Sequence, residues 1–515
     1  MATTTAETLG LWSIAEQEPE RVALVDPDGR SVGYGELAAK ANSHARGLQT
    51  LGLETGDVIV ILQPNGDELL AAYFAAVQSG LYVVVVNWHL IGPEVAYILA
   101  DSGAKAFLAH ERFADVAVAA ADEAGVPAQA RFAVGEVPGF RRIEELGSGE
   151  GDGRPERRTA GSPMLYTSGT TGRPKGVRRP LTGADPDDVP AASTWFFGVF
   201  GIRPSDGHVH LCGSPLYHTA VLNFVAISVQ LGHTAVLMDR WDPEDMLRLI
   251  EEHRVTHSHL VPTQFRRLLG LPDAVRSRYD LGSLRVMIHG AAPCPLEVKR
   301  RMLEWWGPVV TEYYAATEGG GTVISGEEWL RKPGSVGLPW PGSTIKVLDD
   351  AGAEAPVGEP GTVYMRMGDS KFEYHKDRAK TEKARAGDLF TLGDVGHLDE
   401  DGYLYLHDRK ADMIISGGVN IYPAEIEGEL IMHPKIADIA VFGIPHEDWG
   451  EEIKAVVQPA PGVTPTPALT AEILAYAATR LARFKLPRTI DYTDALPRDP
   501  NGKLYKRKLR APYWP

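Results

Sequence analysis

Hydrophobic residues in the first part of the chain alternate between helix-like and strand-like patterns. Apolar positions recur at helical spacing over residues 35–51 and 67–79, whereas residues 58–62 and 82–86 are short apolar runs rich in β-branched residues. Such runs are typical of strands that are buried on both faces of a parallel sheet. Helices and strands in alternation predict an α/β fold with right-handed crossovers.

The alternation continues through the middle of the chain. A helix is predicted over residues 192–200, and strands are predicted over residues 255–261 and 284–289. Residues 242–244 (Asp-Pro-Glu) are a strong helix start, because an acidic N-cap residue precedes a proline at the first helical position. The turn at residues 290–292 follows a predicted strand, which is where open α/β sheets bind ligands.

The pattern changes twice in the second part of the chain. Residues 334–367 are short strand-like runs between Gly/Pro turns, which predict a small β subdomain. Beyond Lys410 the pattern predicts a compact α+β unit, with strands near residues 413–415, 439–442 and 453–457 and helices near residues 424–431 and 471–483. We therefore predict a large N-terminal domain of layered α/β subdomains, residues 1–409, and a small C-terminal domain, residues 410–515.

Composition restricts the class of protein. A chain of 515 residues is too long for one compact core, so two or more domains are expected. The formal net charge of −16 argues against a nucleic-acid binder. The two cysteines give neither a disulfide framework nor metal-ligand spacing. No signal peptide or membrane-spanning run is apparent, and we expect a cytoplasmic protein.

One loop concentrates the residues that suit a polyphosphate. Residues 166–176 read Y-T-S-G-T-T-G-R-P-K-G. Glycines let the backbone approach a ligand closely, and successive turn N–H groups form a concavity that suits an anion. The candidate ligands are the hydroxyls, glycines and lysine of Thr167, Ser168, Gly169, Thr170, Thr171, Gly172 and Lys175.

The loop has two alternative interpretations. It is not a Walker A motif, because Arg173 and Pro174 separate Gly172 from Lys175. A flexible Gly/Ser/Thr linker has a similar composition. The order of residues, however, resembles the signature loop of the adenylate-forming superfamily, which comprises acyl-CoA synthetases, firefly-type luciferases and the adenylation domains of nonribosomal peptide synthetases.

A second stretch, E-Y-Y-A-A-T-E at residues 312–318, also resembles the superfamily. The resemblance places Glu312 and Tyr313 in the nucleotide site, makes Tyr314 the ring that stacks on adenine, and makes Thr317 a phosphate contact. It makes Glu318 both catalytic and the Mg²⁺ ligand, which agrees with the preference of Mg²⁺ for carboxylates and phosphates. Without the resemblance, the two tyrosines would be interpreted as core residues and Glu318 as a solvated acid.

Further parts of the nucleotide site are implied in the same way. The H-G-A-A-P stretch resembles the backbone strip that lies along the adenosine, which assigns Gly290, Ala291 and Ala292. Asp394 is expected to accept both ribose hydroxyls, and Arg409 to reach the ribose and phosphate. Taken alone, Asp394 is better interpreted as a turn residue beside Gly393, and Arg409 as a surface charge.

The resemblance extends to three more sites. Lys503, just past an Asn-Gly turn, becomes the lysine that bridges the substrate carboxylate and the α-phosphate. His218, in S-P-L-Y-H, is expected to orient or gate the site. Gly417 and Gly418 are expected to line a pantetheine channel, although as a bare pattern they are an ordinary hairpin turn.

Several residues are interpreted as structural or as departures from the superfamily. The basic residues Lys506, Arg507, Lys508 and Arg510 are interpreted as a solvated tail. His257 and His259 lie two apart on a predicted strand without an evident third ligand, and we interpret them as structural. Ala411 stands at the hinge position where relatives usually carry Asp or Lys, so a side-chain contact that fixes one lid position is missing.

The resemblance therefore implies an AMP-forming acyl-CoA synthetase. Its C-terminal domain would be a mobile lid, its cofactors ATP and Mg²⁺, and its co-substrate CoA. The expected acid is fatty, alicyclic or steroid-like. The alternative is an amide synthetase similar to coronafacate ligase, in which an amino acid replaces CoA. Small-molecule partners are expected, without nucleic acid, and the oligomeric state is left open, a homodimer included.

Overall fold

The computed structural model of the chain describes residues 8–149, 151–167, 175–316, 319–368, 373–374, 381–382, 384–498 and 504–514. The chain forms two compact units. The first comprises Met1–His259, Asp273–Met287 and Lys371–Lys383, and the second comprises Leu260–Pro272, Ile288–Ser370 and Ala384–Pro515. Residues on both sides of Lys410 belong to the second unit, so the domain boundary that the sequence places there stays a prediction.

A parallel sheet organises the start of the first unit. Its strands pair in the order Arg141–Arg142, Arg131–Val134, Ala104–His110, Val58–Leu62, Tyr82–Val85 and Ser162–Pro163. Ile59 and Ile61 enter one hydrophobic cluster, and Val60 and Leu62 enter another, because successive side chains of a strand face opposite ways. Helices cover both faces: Tyr34–Thr50 and Asp67–Gln78 on one side, Gly92–Ser102 and Ala114–Glu123 on the other.

A second, mostly parallel sheet follows in the same unit. Its strands pair in the order Ser31–Gly33, Val22–Val25, Thr234–Leu237, Val209–Cys212 and His257–Leu260, with only the first pair antiparallel. A three-stranded ribbon contains Glu373–Tyr374, Lys175–Arg178 and Leu165–Thr167. The other α-helices in the described residues of the first unit are Leu11–Gln17, Val189–Gly198, Thr219–Gln230, Pro243–His253 and Asp273–Arg276.

The second unit opens with antiparallel strands. They pair in the order Val310–Ala315, Gly321–Ile324, Ser335–Pro339, Leu404–Arg409, Asp394–Leu398, Gly361–Met367, Leu389–Phe390 and Arg385–Ala386, and Ser343–Leu348 pairs with Gly361–Met367. The helices of this part are Pro262–Leu269, Leu296–Trp306 and Gly326–Arg331, and the strand Val286–His289 spans the division between the units. This antiparallel part confirms the predicted β subdomain and extends it to Arg409.

The C-terminal part of the second unit is a small α+β layer, as predicted. Its strands pair in the order Val419–Ile421, Ile414–Ser416, Gly450–Pro459 and Ile436–His446, and Thr489–Tyr492 runs parallel to Gly450–Pro459. The helices are Pro423–Leu430, Pro467–Ala478 and Lys506–Arg510. Throughout the described ranges, no helix combines the length and apolar character that crossing a membrane requires.

Local signals account for where the helices begin. The Asp242 carboxylate accepts hydrogen bonds from the backbone N–H groups of Glu244 and Asp245, both at 3.0 Å, so the predicted helix start is confirmed. The helix predicted near residues 471–483 instead spans Pro467–Ala478, because the Thr466 hydroxyl caps it and a proline occupies its first position.

Five histidines are buried together in the first unit. The ring centres of His210 and His257 are 4.7 Å apart, and those of His208 lie 5.0 Å from His233 and 5.5 Å from His257. The fifth, His259, stacks on Phe224 at 5.0 Å. These contacts agree with the structural role expected for His257 and His259.

Burial keeps these imidazoles neutral. It lowers the pKa of His210 to about 3 and the pKa values of His233 and His259 to about 4, and it holds the pKa of His257 well below 6.5. In the unfolded chain a histidine has a pKa of about 6.5. Below that pH the unfolded chain therefore binds more protons than the folded chain, and stability falls as the pH is lowered.

We expect the free energy of unfolding to decrease between about pH 7 and about pH 5, by up to about 1.4 kcal/mol per pH unit for each buried histidine. The double variant His210→Gln/His259→Gln should have a shallower slope, because it removes two of these proton sites. Urea denaturation across this pH range measures the slope, and His253→Gln, at a partly exposed helix end, is the control. Equal slopes for the double variant and the original chain would contradict the assignment.

Candidate active site

The backbone after the strand Val286–His289 is packed tightly onto the strand Val310–Ala315. A Cβ atom at Gly290 would lie 2.8 Å from Cε1 of Tyr313 and 2.9 Å from its carbonyl oxygen, so only glycine fits there. The next residue, Ala291, has a φ of 66°, in the left-handed region that non-glycine residues seldom adopt. Residues 290–292 therefore form a bend that its surroundings hold in a constrained conformation, and we call it the adenosine bend after its predicted role.

Three of the predicted nucleotide contacts meet in the second unit. The Tyr314 hydroxyl donates a hydrogen bond to Oδ2 of Asp394 at 2.6 Å. Asp394 and Arg409 are directly opposite each other on two antiparallel strands, and Nε of Arg409 lies 3.5 Å from Oδ1 of Asp394. The carboxylate is mostly buried, whereas the Arg409 side chain is half exposed. Strand pairing thus brings Arg409 to Asp394 across 15 residues of sequence, and a side-chain hydrogen bond joins Tyr314 to Asp394 across 80.

This arrangement can bind a ligand that carries hydroxyl groups. An ionised carboxylate has about four lone-pair sites, and only some of those of Asp394 are engaged by Tyr314 and Arg409. The phenol fixes the orientation of the carboxylate, and the guanidinium places a positive charge beside it. A diol with a phosphate attached, as in a nucleotide, matches that combination of acceptor and cation.

Glu312 and Tyr313, the two residues before Tyr314 on the same strand, are buried. Glu312 is 6% exposed and contacts the ammonium of Lys299, while Tyr313 is 8% exposed and contacts Gly290. Their contacts among the described residues are therefore with other protein groups. Their membership of the nucleotide site stays a prediction.

The phosphate loop joins two strands. Leu165–Thr167 and Lys175–Arg178 are antiparallel, with Lys175 opposite Thr167 and Gly176 opposite Tyr166. A Walker A loop is followed by a helix, whereas this loop is followed by a strand. The loop residues Ser168, Gly169, Thr170, Thr171 and Gly172 lie outside the described residues, and their contact with phosphate stays a prediction.

Three further predicted residues, Thr317, Glu318 and Lys503, also lie outside the described residues. Among the residues that the structure describes, no group of three or more His, Cys, Asp or Glu side chains is arranged to hold a metal ion. The assignments of Glu318 to Mg²⁺ and of Lys503 to the reacting anions therefore stay predictions.

His218 lies at a helix start in the first unit. It is the N-cap residue of the helix Thr219–Gln230, and its carbonyl accepts a hydrogen bond from the N–H of Leu222 at 2.9 Å. Its ring centre is 4.2 Å from that of Tyr217, which is buried. The helix start thus sets the position of the imidazole, and its orienting role stays a prediction.

Gly417 and Gly418 form a two-residue hairpin turn between Ile414–Ser416 and Val419–Ile421. Both have positive φ angles, 59° and 80°, which glycine adopts without strain. A Cβ atom at Gly417 would lie 2.7 Å from Cε3 of Trp449, so the indole rests on bare backbone. The hairpin interpretation is correct, and the thiol channel stays a prediction on the same residues.

The interpretation of the C-terminal basic run as a solvated tail is wrong for Lys506. Nζ of Lys506 is 2.9 Å from Oε1 of Glu427, and most of both side chains is buried. Arg510 donates a hydrogen bond at 3.1 Å to the carbonyl of Ala411, the residue at the predicted hinge. A backbone contact at Ala411 thus stands where a side-chain contact is missing.

Sequence reasoning also missed Lys299. The lysine lies on the buried side of the helix Leu296–Trp306, between Val298 and Met302, and it is 0% exposed. A lysine within an apolar stripe signals a buried partner. The apolar stripe around Lys299 is visible in the sequence, but it does not indicate which residue pairs with the lysine.

Comparison with known proteins identifies the family. The profile described as "AMP-binding enzyme" matches residues 11–370, and the profile described as "AMP-binding enzyme C-terminal domain" matches residues 425–503. The chain belongs to the AMP-binding enzyme family. The resemblance to the adenylate-forming superfamily is confirmed, and the chain is an enzyme of that superfamily.

Individual relatives cover nearly the whole chain. It is 34% identical over 506 residues to the long-chain-fatty-acid–CoA ligase FadD13 of Mycobacterium tuberculosis, with 97% of each chain covered. Its structure is similar to that of the amide bond synthetase McbA from Marinactinospora thermotolerans, with a TM-score of 0.82 at 26% identity over 96% of this chain and 97% of McbA.

A third relative was solved with an acyl-adenylate. The o-succinylbenzoate CoA synthetase MenE from Bacillus subtilis, in complex with the intermediate OSB-AMP, gives a TM-score of 0.81 at 29% identity and 98% coverage of both chains. Together with McbA it confirms the predicted α/β class, a large N-terminal domain followed by a small C-terminal one.

Removal of the Tyr314 hydroxyl tests the nucleotide assignment. We expect Tyr314→Phe to raise the KM for ATP about tenfold, because the variant frees the Asp394 carboxylate to rotate and a loss of about 1.4 kcal/mol corresponds to tenfold. The KM is measured by ATP–pyrophosphate exchange, with thermal unfolding recorded alongside. Tyr364→Phe, on the strand Gly361–Met367, is the matched control. An unchanged KM in Tyr314→Phe would remove this residue from the site.

Proposed function

We propose that the chain is an AMP-forming acyl-CoA synthetase. In the first step, a carboxylate oxygen of an organic acid attacks the α-phosphorus of ATP, and pyrophosphate leaves to give acyl-AMP. In the second, the CoA thiol loses its proton as its sulfur attacks the acyl carbonyl carbon, and AMP leaves. Membership of the AMP-binding enzyme family supports the first step.

The observation that carries the proposal is the meeting of Tyr314, Asp394 and Arg409. In this proposal Asp394 accepts the two ribose hydroxyls, Arg409 contacts the ribose and phosphate, and the Tyr314 ring stacks on adenine. The adenosine bend of Gly290, Ala291 and Ala292 lies along the nucleoside.

The phosphate end of the site would be held by the loop between Thr167 and Lys175, whose glycines and hydroxyls surround the triphosphate. Glu318, with Thr317 beside it, is proposed as the protein ligand of Mg²⁺. When bound, Mg²⁺ neutralises part of the phosphate charge.

Lys503 is proposed to solve the main electrostatic problem of the first step. The attacking carboxylate and the phosphate are both anionic, and at about 4 Å in partly shielded surroundings they repel by about 4 kcal/mol. A fixed ammonium between them cancels that repulsion and stabilises the charge of the transition state. We place Lys503 on a C-terminal lid, residues 410–515, that closes on an N-terminal domain, residues 1–409.

In the second step we propose that the lid rotates about Ala411, which withdraws Lys503. Residues 416–422, with the paired glycines Gly417 and Gly418, then line the channel for the pantetheine arm, because bare backbone leaves room for a thin chain. His218 orients the reacting groups near the acyl carbon. Motion of this kind commits the substrate and excludes water.

The acid is proposed to be fatty, alicyclic or steroid-like, which the similarity to FadD13 supports. One observation favours a second function. The similarity to the amide bond synthetase McbA leaves an amine as the alternative acceptor, so that an amide replaces the thioester.

A panel of organic acids distinguishes the two acceptors. The chain is incubated with ATP, Mg²⁺ and each acid, once with CoA and once with amino acids, and the products are identified by mass spectrometry. We expect AMP, pyrophosphate and an acyl-CoA thioester. Amide formation with no thioester would establish the alternative function instead, and failure to cleave ATP with any acid would contradict both.

Lys503→Ala should separate the two steps. We expect acid-dependent pyrophosphate release to fall by about 10²–10³-fold, the usual effect of removing one group that stabilises transition-state charge. Reaction of supplied acyl-AMP with CoA should persist, because the lysine is withdrawn in that step. Lys508→Ala, at an exposed position of the helix Lys506–Arg510, is the control. An unimpaired first step in Lys503→Ala would refute the role.

A further inference from the structure

A buried ion pair involves Glu312, two residues before Tyr314 on the strand Val310–Ala315. Nζ of Lys299, on the helix Leu296–Trp306, donates to Oε2 of Glu312, on the strand Val310–Ala315, at 2.5 Å. The lysine is 0% exposed and the glutamate 6% exposed. The Trp329 ring is 5.0 Å from the ammonium, which adds a cation–π contact.

Such a pair is a poor way to stabilise a core. Removing two charges from water is costly, and well-packed apolar residues of similar volume often stabilise a fold equally well or better. What a buried ion pair adds is specificity, because any movement that separates the ammonium from the carboxylate leaves two buried charges unpaired. The position of Lys299–Glu312 therefore points to a geometric requirement at this place in the fold.

Three successive residues of one strand hold three separate pieces of the site. Glu312 binds the helix Leu296–Trp306 through Lys299, Tyr313 supports the adenosine bend at Gly290, and Tyr314 holds the Asp394 carboxylate. A shift of the strand at Glu312 would move both tyrosines with it. Binding geometry of this kind tolerates displacements of only about 0.5 Å.

Glu312 also reaches the residue that precedes the bend. Nε2 of His289, which is fully buried, is 3.7 Å from the same Oε2 atom, and the Phe265 ring packs on the imidazole at 5.1 Å. The carboxylate thus contacts both the helix after the adenosine bend and the residue before it. Burial raises the pKa of Glu312, and the ammonium of Lys299 opposes that shift.

We propose that Lys299 and Glu312 are positioning residues for the nucleotide: they fix the adenosine bend and the Tyr313–Tyr314 segment relative to each other, and so set the affinity for ATP and AMP without contacting either. The inference rests on the proposed function, because it assigns the bend and Tyr314 to the nucleotide. It gives Glu312 an indirect role instead of the direct contact that its motif implied.

The test replaces both charges together. A single substitution would leave one buried charge without its partner and could unfold the chain. The double variant Lys299→Met/Glu312→Leu keeps the core filled and should retain the thermal midpoint of the original chain. We expect its Kd for AMP, measured by calorimetry, and its KM for ATP to rise about tenfold, while the KM for the acid stays within about twofold.

Two further variants separate positioning from general damage. Lys299→Gln/Glu312→Gln keeps a directional hydrogen bond without charge and should restore AMP binding to within about threefold of the original chain. Lys346→Met/Glu354→Leu makes the same substitutions at an exposed ion pair of the same unit and should change nothing.

Each outcome decides the question. The inference is overturned if the Met/Leu variant binds AMP as tightly as the original chain, or if its KM values for ATP and acid rise equally. An original chain that binds neither ATP nor AMP would overturn the proposed function and this inference with it. If the original chain binds AMP and the Met/Leu variant binds it equally tightly, only the inference is overturned, because AMP binding by the original chain still supports the proposed function.

Discussion

The hydrogen bond from the Tyr314 hydroxyl to the Asp394 carboxylate joins two separate strands of the antiparallel sheet in the second unit. Asp394 in turn faces Arg409 across paired strands, and the chain continues from Arg409 into Lys410 and Ala411. The second of these paired strands, Leu404–Arg409, therefore leads directly into the C-terminal part. A ligand held by Asp394 would be bound next to the segment where the proposed rotation begins.

The chain buries polar groups in two different ways. In the first unit, burial keeps a group of histidines neutral, so no counter-charge is needed near pH 7. In the second unit, Lys299 and Lys506 each meet a buried glutamate. Neutral groups tolerate small shifts of their neighbours, whereas a buried ion pair cannot separate without leaving a charge unpaired.

One member of each ion pair is close in sequence to a residue with a proposed role in the chemistry. Glu312 is five residues before Thr317, and Lys506 is three residues after Lys503. A site that must align two anions requires supporting contacts that do not shift.

Much of the architecture was predictable because it depends on neighbours in the sequence. The buried strand Val58–Leu62 was predicted with its observed bounds, and the helix start at Asp242 follows from capping within three residues. The helix Pro467–Ala478 was misplaced because the capping signal of Thr466 and Pro467 was overlooked, although it too is local. The motif stretches were recognisable for the same reason, since each is continuous in sequence.

Partners distant in sequence were not predictable. The buried position of Lys299 could be inferred from the apolar stripe around it, but not its pairing with Glu312, and nothing nearby relates Arg510 to the carbonyl of Ala411. Propensity, capping and motif order act over a few residues. They therefore specify the succession of helices and strands, the family and the residues able to carry the chemistry. Which of those residues come into contact depends on strand pairing and packing, because separation along the chain carries no information about distance in space.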